Sequence, residues 1–186
     1  MATVFDKILD KTTGPKSYDW YRKQVQSMTT PGARSLIRSG KATLRPKYGI
    51  MNLFGYDPKH KATLPYYDTF PLVVVVGPAP GGFYGLNLHY LPPMLRAKML
   101  DGLMDIASSK KSPNAKFDIS YQTLKGISKL RYYKPCFKHY LGGNLKSGIS
   151  MVPAPEWEIA TFLPVAQFKK IPNPLEAYAD SRAMIL

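Results

Sequence analysis

The sequence predicts an α+β fold: a small SH3-like β-barrel or a curled antiparallel sheet, packed by several helices and with extended termini. Three observations lead to this prediction. Residues 72–76 are an unbroken aliphatic run, residues 83–90 alternate in polarity, and residues 94–107 place apolar side chains at helical spacing. Periods of two and of 3.6 residues indicate strands and helices respectively.

The aliphatic run predicts a strand buried on both faces. Four of its five residues are valine, which favours pleated structure, and Pro71 and Gly77 bound it. The following GPAPGG (77–82) predicts a turn, because glycine supplies positive φ and proline fixes φ near −65°. Residues 83–90 then return as a half-buried strand. We therefore expect a β-hairpin within 63–91 on which the rest of the chain packs.

Before the hairpin, Ser17 is a candidate N-cap for a helix at 18–28, which the TTPG sequence at 29–32 ends. A strand is predicted at 48–56 and a turn at 57–61. With strands at 70–76 and 83–90, it would form an antiparallel meander.

After the hairpin, Pro92 and Pro93 start a helix over 94–107, with Leu95, Met99 and Leu103 on its apolar stripe and Arg96 off it. Helices are also expected at 120–130, 134–141 and 156–163. Residues 165–170 are a candidate last strand that closes the barrel, and 171–186 are a tail that packs on another surface. The predicted division is a basic N-terminal helix and arm (1–47), an α+β core domain (48–170) and a C-terminal tail (171–186).

Positive charge is concentrated on both sides of the predicted core. The net charge is +14 overall, with +8 in residues 1–61, −1 in 62–108 and +7 in 109–186. Such a surface attracts phosphate polymers or an acidic partner protein. The basic segment 33–47 is either a solvated connector or an extended arm that follows a phosphate backbone. The candidate DNA-binding or acidic-partner-binding residues are Arg34, Arg38, Lys41, Arg45, Lys47, Lys129, Arg131, Lys134 and Lys138.

Several classes of protein are disfavoured. The single cysteine, Cys136, excludes an intramolecular disulfide and a cysteine-rich zinc site. No apolar run approaches the ~20 residues of a membrane span, and the N-terminal residues lack the apolar core of a signal peptide. We expect no membrane association, no cofactor and no metal.

No catalytic constellation stands out, so we predict a protein that is not an enzyme. Cys136 and His139 are three residues apart on a predicted helix, where a packed thiol beside a surface histidine is the simpler interpretation than a nucleophile pair. Glu156 and Glu158 could hold magnesium together with Asp68, as in a nuclease. A turn carboxylate that accepts backbone N–H groups is the simpler interpretation of Asp68.

Four longer segments carry a family resemblance. YDPKHKATLPYYDTFPLVVVV, GFYGLNLHYLPPMLRAKMLDGLMDI, YYKPCFKHYLGGN and PEWEIATFLPVAQFKK are similar to a virion protein of T4-like tailed bacteriophages, within about residues 48–170. The pattern most resembles the DNA end protector family. This resemblance implies a structural virion protein, assembled in the host cytoplasm as part of a larger assembly, with double-stranded DNA and other virion proteins as partners.

Three functions follow as hypotheses. The first is binding of packaged DNA or a DNA terminus through its phosphates without sequence specificity. The second is a baseplate, tail or neck subunit whose basic flanks bind neighbouring proteins. The third is a metal-dependent nuclease.

Overall fold

The computed structural model of the protein describes residues 42–108, 131–152, 157–163 and 165–185. The helices expected at 18–28 and 120–130 lie outside these residues. Within them the chain forms a mostly antiparallel sheet packed by helices, which confirms the α+β class. The proposed division at residues 47 and 170 stays a prediction.

The predicted hairpin forms the centre of the sheet. The valine-rich strand extends over Leu72–Ala79, further than expected, because Gly77 and Pro78 continue to pair with the returning strand Gly82–Asn87. A register shift between Val75 and Gly77 accommodates them. The turn itself is therefore shorter than GPAPGG, with Gly81 at a φ of 70°.

Strands from distant parts of the chain complete a six-stranded sheet. They are β1 (Ala42–Thr43), β2 (Met51–Leu53), β4 (Leu72–Ala79), β5 (Gly82–Asn87), β6 (Phe137–Leu141) and β7 (Ile149–Val152), and they lie in the order β1-β7-β2-β4-β5-β6. The pairing of the predicted meander is confirmed, since β2 pairs with β4 and β4 with β5, both antiparallel. The strand expected at 48–56 is shorter than predicted, and residues 88–90 form a 3₁₀ helix instead of continuing β5.

A separate two-stranded ribbon joins β3 (Tyr67–Asp68) to β8 (Phe168–Lys169). The last strand expected at 165–170 is thus much shorter, and it pairs with β3 instead of closing the sheet. The edge strands β1 and β6 do not pair with each other in the described residues, so an SH3-like barrel is not confirmed.

Three α-helices are described: α1 (Pro93–Ser108), α2 (Trp157–Phe162) and α3 (Pro174–Ile185). The first two confirm the helices expected at 94–107 and 156–163. The short helix expected at 134–141 was wrong, because that segment contains β6. The end of the chain, expected to pack on another surface, forms α3 and buries Ala177 and Ser181 against its own fold.

Core side chains lie on both faces of β4, as predicted for a fully buried strand. Val74 and Val76 belong to the larger cluster, with Met99 of α1 and Trp157 of α2. Alternate residues point to the other face, where Val73 and Val75 join the smaller cluster, which contains Phe54, Phe83 and Tyr140. Within the described part of the chain, no helix is both long and apolar enough to cross a membrane.

Candidate nucleic-acid interface

The predicted basic residues fall at two opposite edges of the sheet. Arg45 and Lys47 are exposed in the connection that follows the edge strand β1. Arg131 and Lys134 are exposed just before β6, the other edge strand. The structure therefore does not join these four cations into one continuous strip along the sheet. Four other candidates lie outside the described residues: Arg34, Arg38, Lys41 and Lys129.

Lys138 differs from the exposed candidates. Its Nζ lies 4.0 Å from the centre of the Tyr90 ring, a cation–π contact, and its side chain is partly buried in β6. Burial lowers the pKa of Lys138, an effect that Cys136 partly opposes. A phosphate contact from Lys138 stays a prediction that would require its ammonium to leave the Tyr90 ring.

The structure also assembles four lysines that the sequence analysis did not single out. Lys59 and Lys61 lie in the turn before β3, and Lys169 and Lys170 lie at the end of β8; all four are exposed. The β3–β8 pairing brings the two segments together, with Tyr67 opposite Lys169. We call Lys59, Lys61, Lys169 and Lys170 the lysine cluster.

Two of these lysines also hold the cluster in shape. Lys170 Nζ donates to the carbonyl oxygens of Ala62 and Leu64 at 2.9 and 2.7 Å, which ties β8 to the turn before β3. Lys170 does so from a left-handed backbone conformation, with φ of 70°. Lys61 Nζ pairs with Asp57, at 2.9 Å from Oδ1 and 2.8 Å from Oδ2. For the other two lysines of the cluster, Lys59 and Lys169, no side-chain hydrogen bond or ion pair is seen among the described residues.

A buried carboxylate anchors the ribbon that carries the cluster. Asp68 Oδ1 accepts the backbone N–H of Phe70 at 3.0 Å and that of Gln167 at 3.2 Å. Its Oδ2 lies 2.7 Å from His89 Nδ1 and accepts a longer bond from Asn87. The expectation that the Asp68 carboxylate accepts backbone N–H groups is confirmed, although Asp68 lies in strand β3 and not in a turn. The same side chain also connects β3 to β5 and to Gln167, the residue before β8.

Burial and the contact between Asp68 and His89 have opposite effects on the pKa of each of these two residues. Burial disfavours the charge of Asp68, but His89 and the two backbone N–H groups more than offset it, so the pKa of Asp68 is lowered. Burial lowers the pKa of His89; Asp68 opposes this shift and Arg96 adds to it. Both lowered pKa values favour an ionised Asp68 beside a neutral His89.

Arg96 was expected on the polar side of α1, but the structure buries it to 3% exposure. Its Nε donates to the Leu91 carbonyl at 2.6 Å, and its other nitrogens donate to the carbonyls of Thr161 and His89. It also donates to the Tyr178 hydroxyl of α3 at 2.7 Å. A buried guanidinium satisfied by carbonyls holds α1, α2 and α3 together, and it is not a surface cation.

Among the described residues, the Cys136–His139 pair is not arranged for catalysis, and Asp68 has no free oxygen for a metal ion. Cys136 is fully buried, and burial raises the pKa of its thiol to about 12, while His139 lies exposed on β6. Both oxygens of Asp68 are already bonded within the protein, and Glu156 lies outside the described residues. Among the described side chains, no group of three or more His, Cys, Asp or Glu residues could hold a metal ion.

Comparison with protein families supplies an independent observation. The family model described as phage T4 terminal DNA protecting protein matches residues 5–178. The chain belongs to this family. The resemblance to the DNA end protector family of T4-like phages is thereby confirmed. No curated protein matches the chain, and no solved structure does.

The matched region contains every candidate cation and the whole lysine cluster. The lysine cluster could not have been recognised from sequence alone, because its two segments are about a hundred residues apart and only the β3–β8 pairing joins them.

Proposed function

We propose that the protein binds the end of double-stranded DNA through its phosphate backbone, without reading sequence, as a non-enzymatic structural protein of the phage particle. The family match over residues 5–178 is the observation that carries this proposal. The arrangement of charge supports it, since the lysine cluster joins exposed cations from two separate segments and further exposed cations lie at both edges of the sheet. The buried carboxylate Asp68, by contrast, is bonded within the protein.

Phosphate contacts fit the observed side chains better than base readout does. Lys59, Lys169, Arg45, Arg131 and Lys134 are exposed cations on turns, strand ends and strand connections. Electrostatic contacts of this kind position a protein on DNA and carry no sequence information.

A salt titration of binding to linear duplex DNA tests this function. If about six phosphates are neutralised, the logarithm of the association constant should fall with the logarithm of salt concentration with a slope near −5. Replacing Arg131 and Lys134 together by glutamine should weaken the slope by about 2. The matched control replaces Lys98 and Arg182 together by glutamine, which removes two exposed positive charges from α1 and α3.

A slope near zero, or no binding at about 100 mM salt, would contradict the proposal. The basic surface would then be assigned to acidic neighbouring proteins of the particle, as expected for a baseplate, tail or neck subunit. Equal affinity for linear and circular DNA would leave phosphate binding intact but remove the preference for an end.

A further inference from the structure

Two neighbouring turns at one end of the sheet carry three glycines and one proline. The β4–β5 turn places Pro80 and Gly81 there, and the turn after β6 places Gly142 and Gly143 beside them; all four are exposed. The Gly142 N–H donates to the Gly81 carbonyl at 2.9 Å, so the two turns are held side by side. We call Pro80, Gly81, Gly142 and Gly143 the glycine end.

Only one of these three glycines, Gly81, has a backbone conformation that requires glycine. Gly81 has a positive φ of 70°, but neither Gly142 nor Gly143 does. A Cβ on Gly142 would make an ordinary contact with the Gly81 carbonyl at 3.5 Å, and one on Gly143 would meet no described atom within 4 Å. Glycine costs conformational entropy, and it suits positions where another molecule approaches the backbone closely.

An aromatic ring lies exposed beside the glycine end. His139 Nε2 lies 3.0 Å from the Pro80 carbonyl oxygen, which holds the ring at the β4–β5 turn. The ring centre is 5.2 Å from that of Tyr84, which in turn stacks on Phe137 at 5.3 Å. His139 is therefore the exposed outer member of a series of three rings, and its orientation is set before any ligand arrives.

Exposed lysines lie near the glycine end, on the side of the lysine cluster. Asn144, next to Gly143, exchanges hydrogen bonds of 3.0 and 2.7 Å with Asp57, which begins the turn carrying Lys59 and Lys61. The negative charge of Asp57 is paired with Lys61. Lys146, three residues beyond Gly143, is exposed as well.

A duplex end differs from the duplex interior by the exposed flat face of its last base pair. Bases stack favourably on aromatic side chains whatever their sequence. We propose that the glycine end and the His139 ring form the surface against which this outermost base pair lies, while Lys59 and Lys146 contact the adjacent phosphates. This inference rests on the proposed function and specifies which part of the DNA end is recognised.

The test compares the affinity for a blunt linear duplex with that for the same duplex closed at both ends by hairpin loops. The wild-type protein should prefer the open duplex. Gly143→Leu, which covers the glycine end, should reduce this preference by about tenfold, the size expected for one stacked base, without changing affinity for the closed duplex. His139→Ala should act in the same direction, whereas His139→Phe, which keeps a ring, should retain the preference.

Ala183→Leu is the matched control, since Ala183 is exposed on α3. Unchanged thermal unfolding of each variant would confirm that it is folded. If Gly143→Leu does not fold, the smaller substitution Gly143→Ala replaces it.

The inference would be overturned if the Gly143 and His139→Ala variants kept the preference for the open duplex. It would also be overturned if removing the 5′ phosphates abolished that preference. Phosphate binding itself would stand in both cases. Absence of wild-type binding to both duplexes would instead overturn the proposed function, and this inference with it.

Discussion

Asp68 shows how far one residue can be understood from its local sequence. Its position before a strand predicted a carboxylate that accepts backbone N–H groups, and Phe70 supplies one. The partners His89 and Gln167 come from distant segments, 21 and 99 residues away. Because a buried charge requires several donors, the local interpretation accounts for only part of what stabilises Asp68.

Replacing Asp68 by asparagine should destabilise the fold by about 1–3 kcal/mol. The new amide would place N–H groups against a donor such as Asn87 Nδ2, and it would remove the charge that His89 and Gln167 bind. Urea denaturation at neutral pH measures the loss. Asp101→Asn, at an exposed position on α1, is the control and should leave the unfolding midpoint nearly unchanged.

The same pair predicts how stability depends on pH. The pKa of His89 is lowered in the fold, so the unfolded chain binds the proton more readily and stability should fall as pH drops below about 6.5. The pKa of Asp68 is also lowered, so its contribution is present above about 3.9, the value in an unfolded chain, and is lost below it. Unfolding free energies of wild type and Asp68→Asn should therefore converge as pH falls below about 3.9. A difference independent of pH would show that the Asp68 charge contributes nothing.

At the scale of elements, β6 shows why a local pattern failed. Pro135 and the Gly142–Gly143 pair resemble the start and end of a helix, which led to the prediction of a helix at 134–141. The segment contains a strand because β5 offers an unpaired edge, and residues 137–141 alternate their side chains between its two faces. Pairing between segments overrides a weak local preference of this kind.

The close pairing of β5 with β6 leaves no room for a side chain at Gly82. A Cβ at this position would overlap the backbone carbonyl oxygen of Tyr140, which no side-chain rotation can relieve. We expect Gly82→Ala to cost about 1–3 kcal/mol of unfolding free energy, because the two strands must move apart. Gly143→Ala is the matched control, with no described atom within 4 Å of the new methyl group, and should be nearly neutral. Equal denaturation midpoints for the two variants would contradict the observed β5–β6 register.

At the scale of the whole molecule, most positive charge lies outside the central strands. Strands β2, β4 and β5 carry no charged side chain, whereas exposed cations lie at the sheet edges, in the lysine cluster and on the helices, as at Lys98 and Arg182. A surface of this kind binds polyanions over a broad area, and each neutralised phosphate contributes similarly to the dependence on salt.

Neutralising the lysine cluster should therefore have a measurable effect on DNA binding. The double substitution of Lys59 and Lys169 by glutamine should weaken the log–log salt slope by about 2 if each side chain contacts one phosphate. Replacing Lys98 and Arg182 together removes the same charge from exposed positions on α1 and α3, and should change the slope less. Equal effects of the two double variants would indicate a general effect of net charge without a defined interface.

Local sequence by itself determined the central hairpin, the buried valine run of β4, the helices α1 and α2, the basic flanks and the family resemblance. Each depends on side-chain periodicity, turn residues or composition within one short segment. Only the tertiary structure decided that β6 is a strand, that α3 folds back onto the chain, that Arg96 is buried, and that the lysine cluster and the glycine end exist. These features depend on pairing and burial between segments far apart in the chain, and no local pattern specifies which partner a segment will meet.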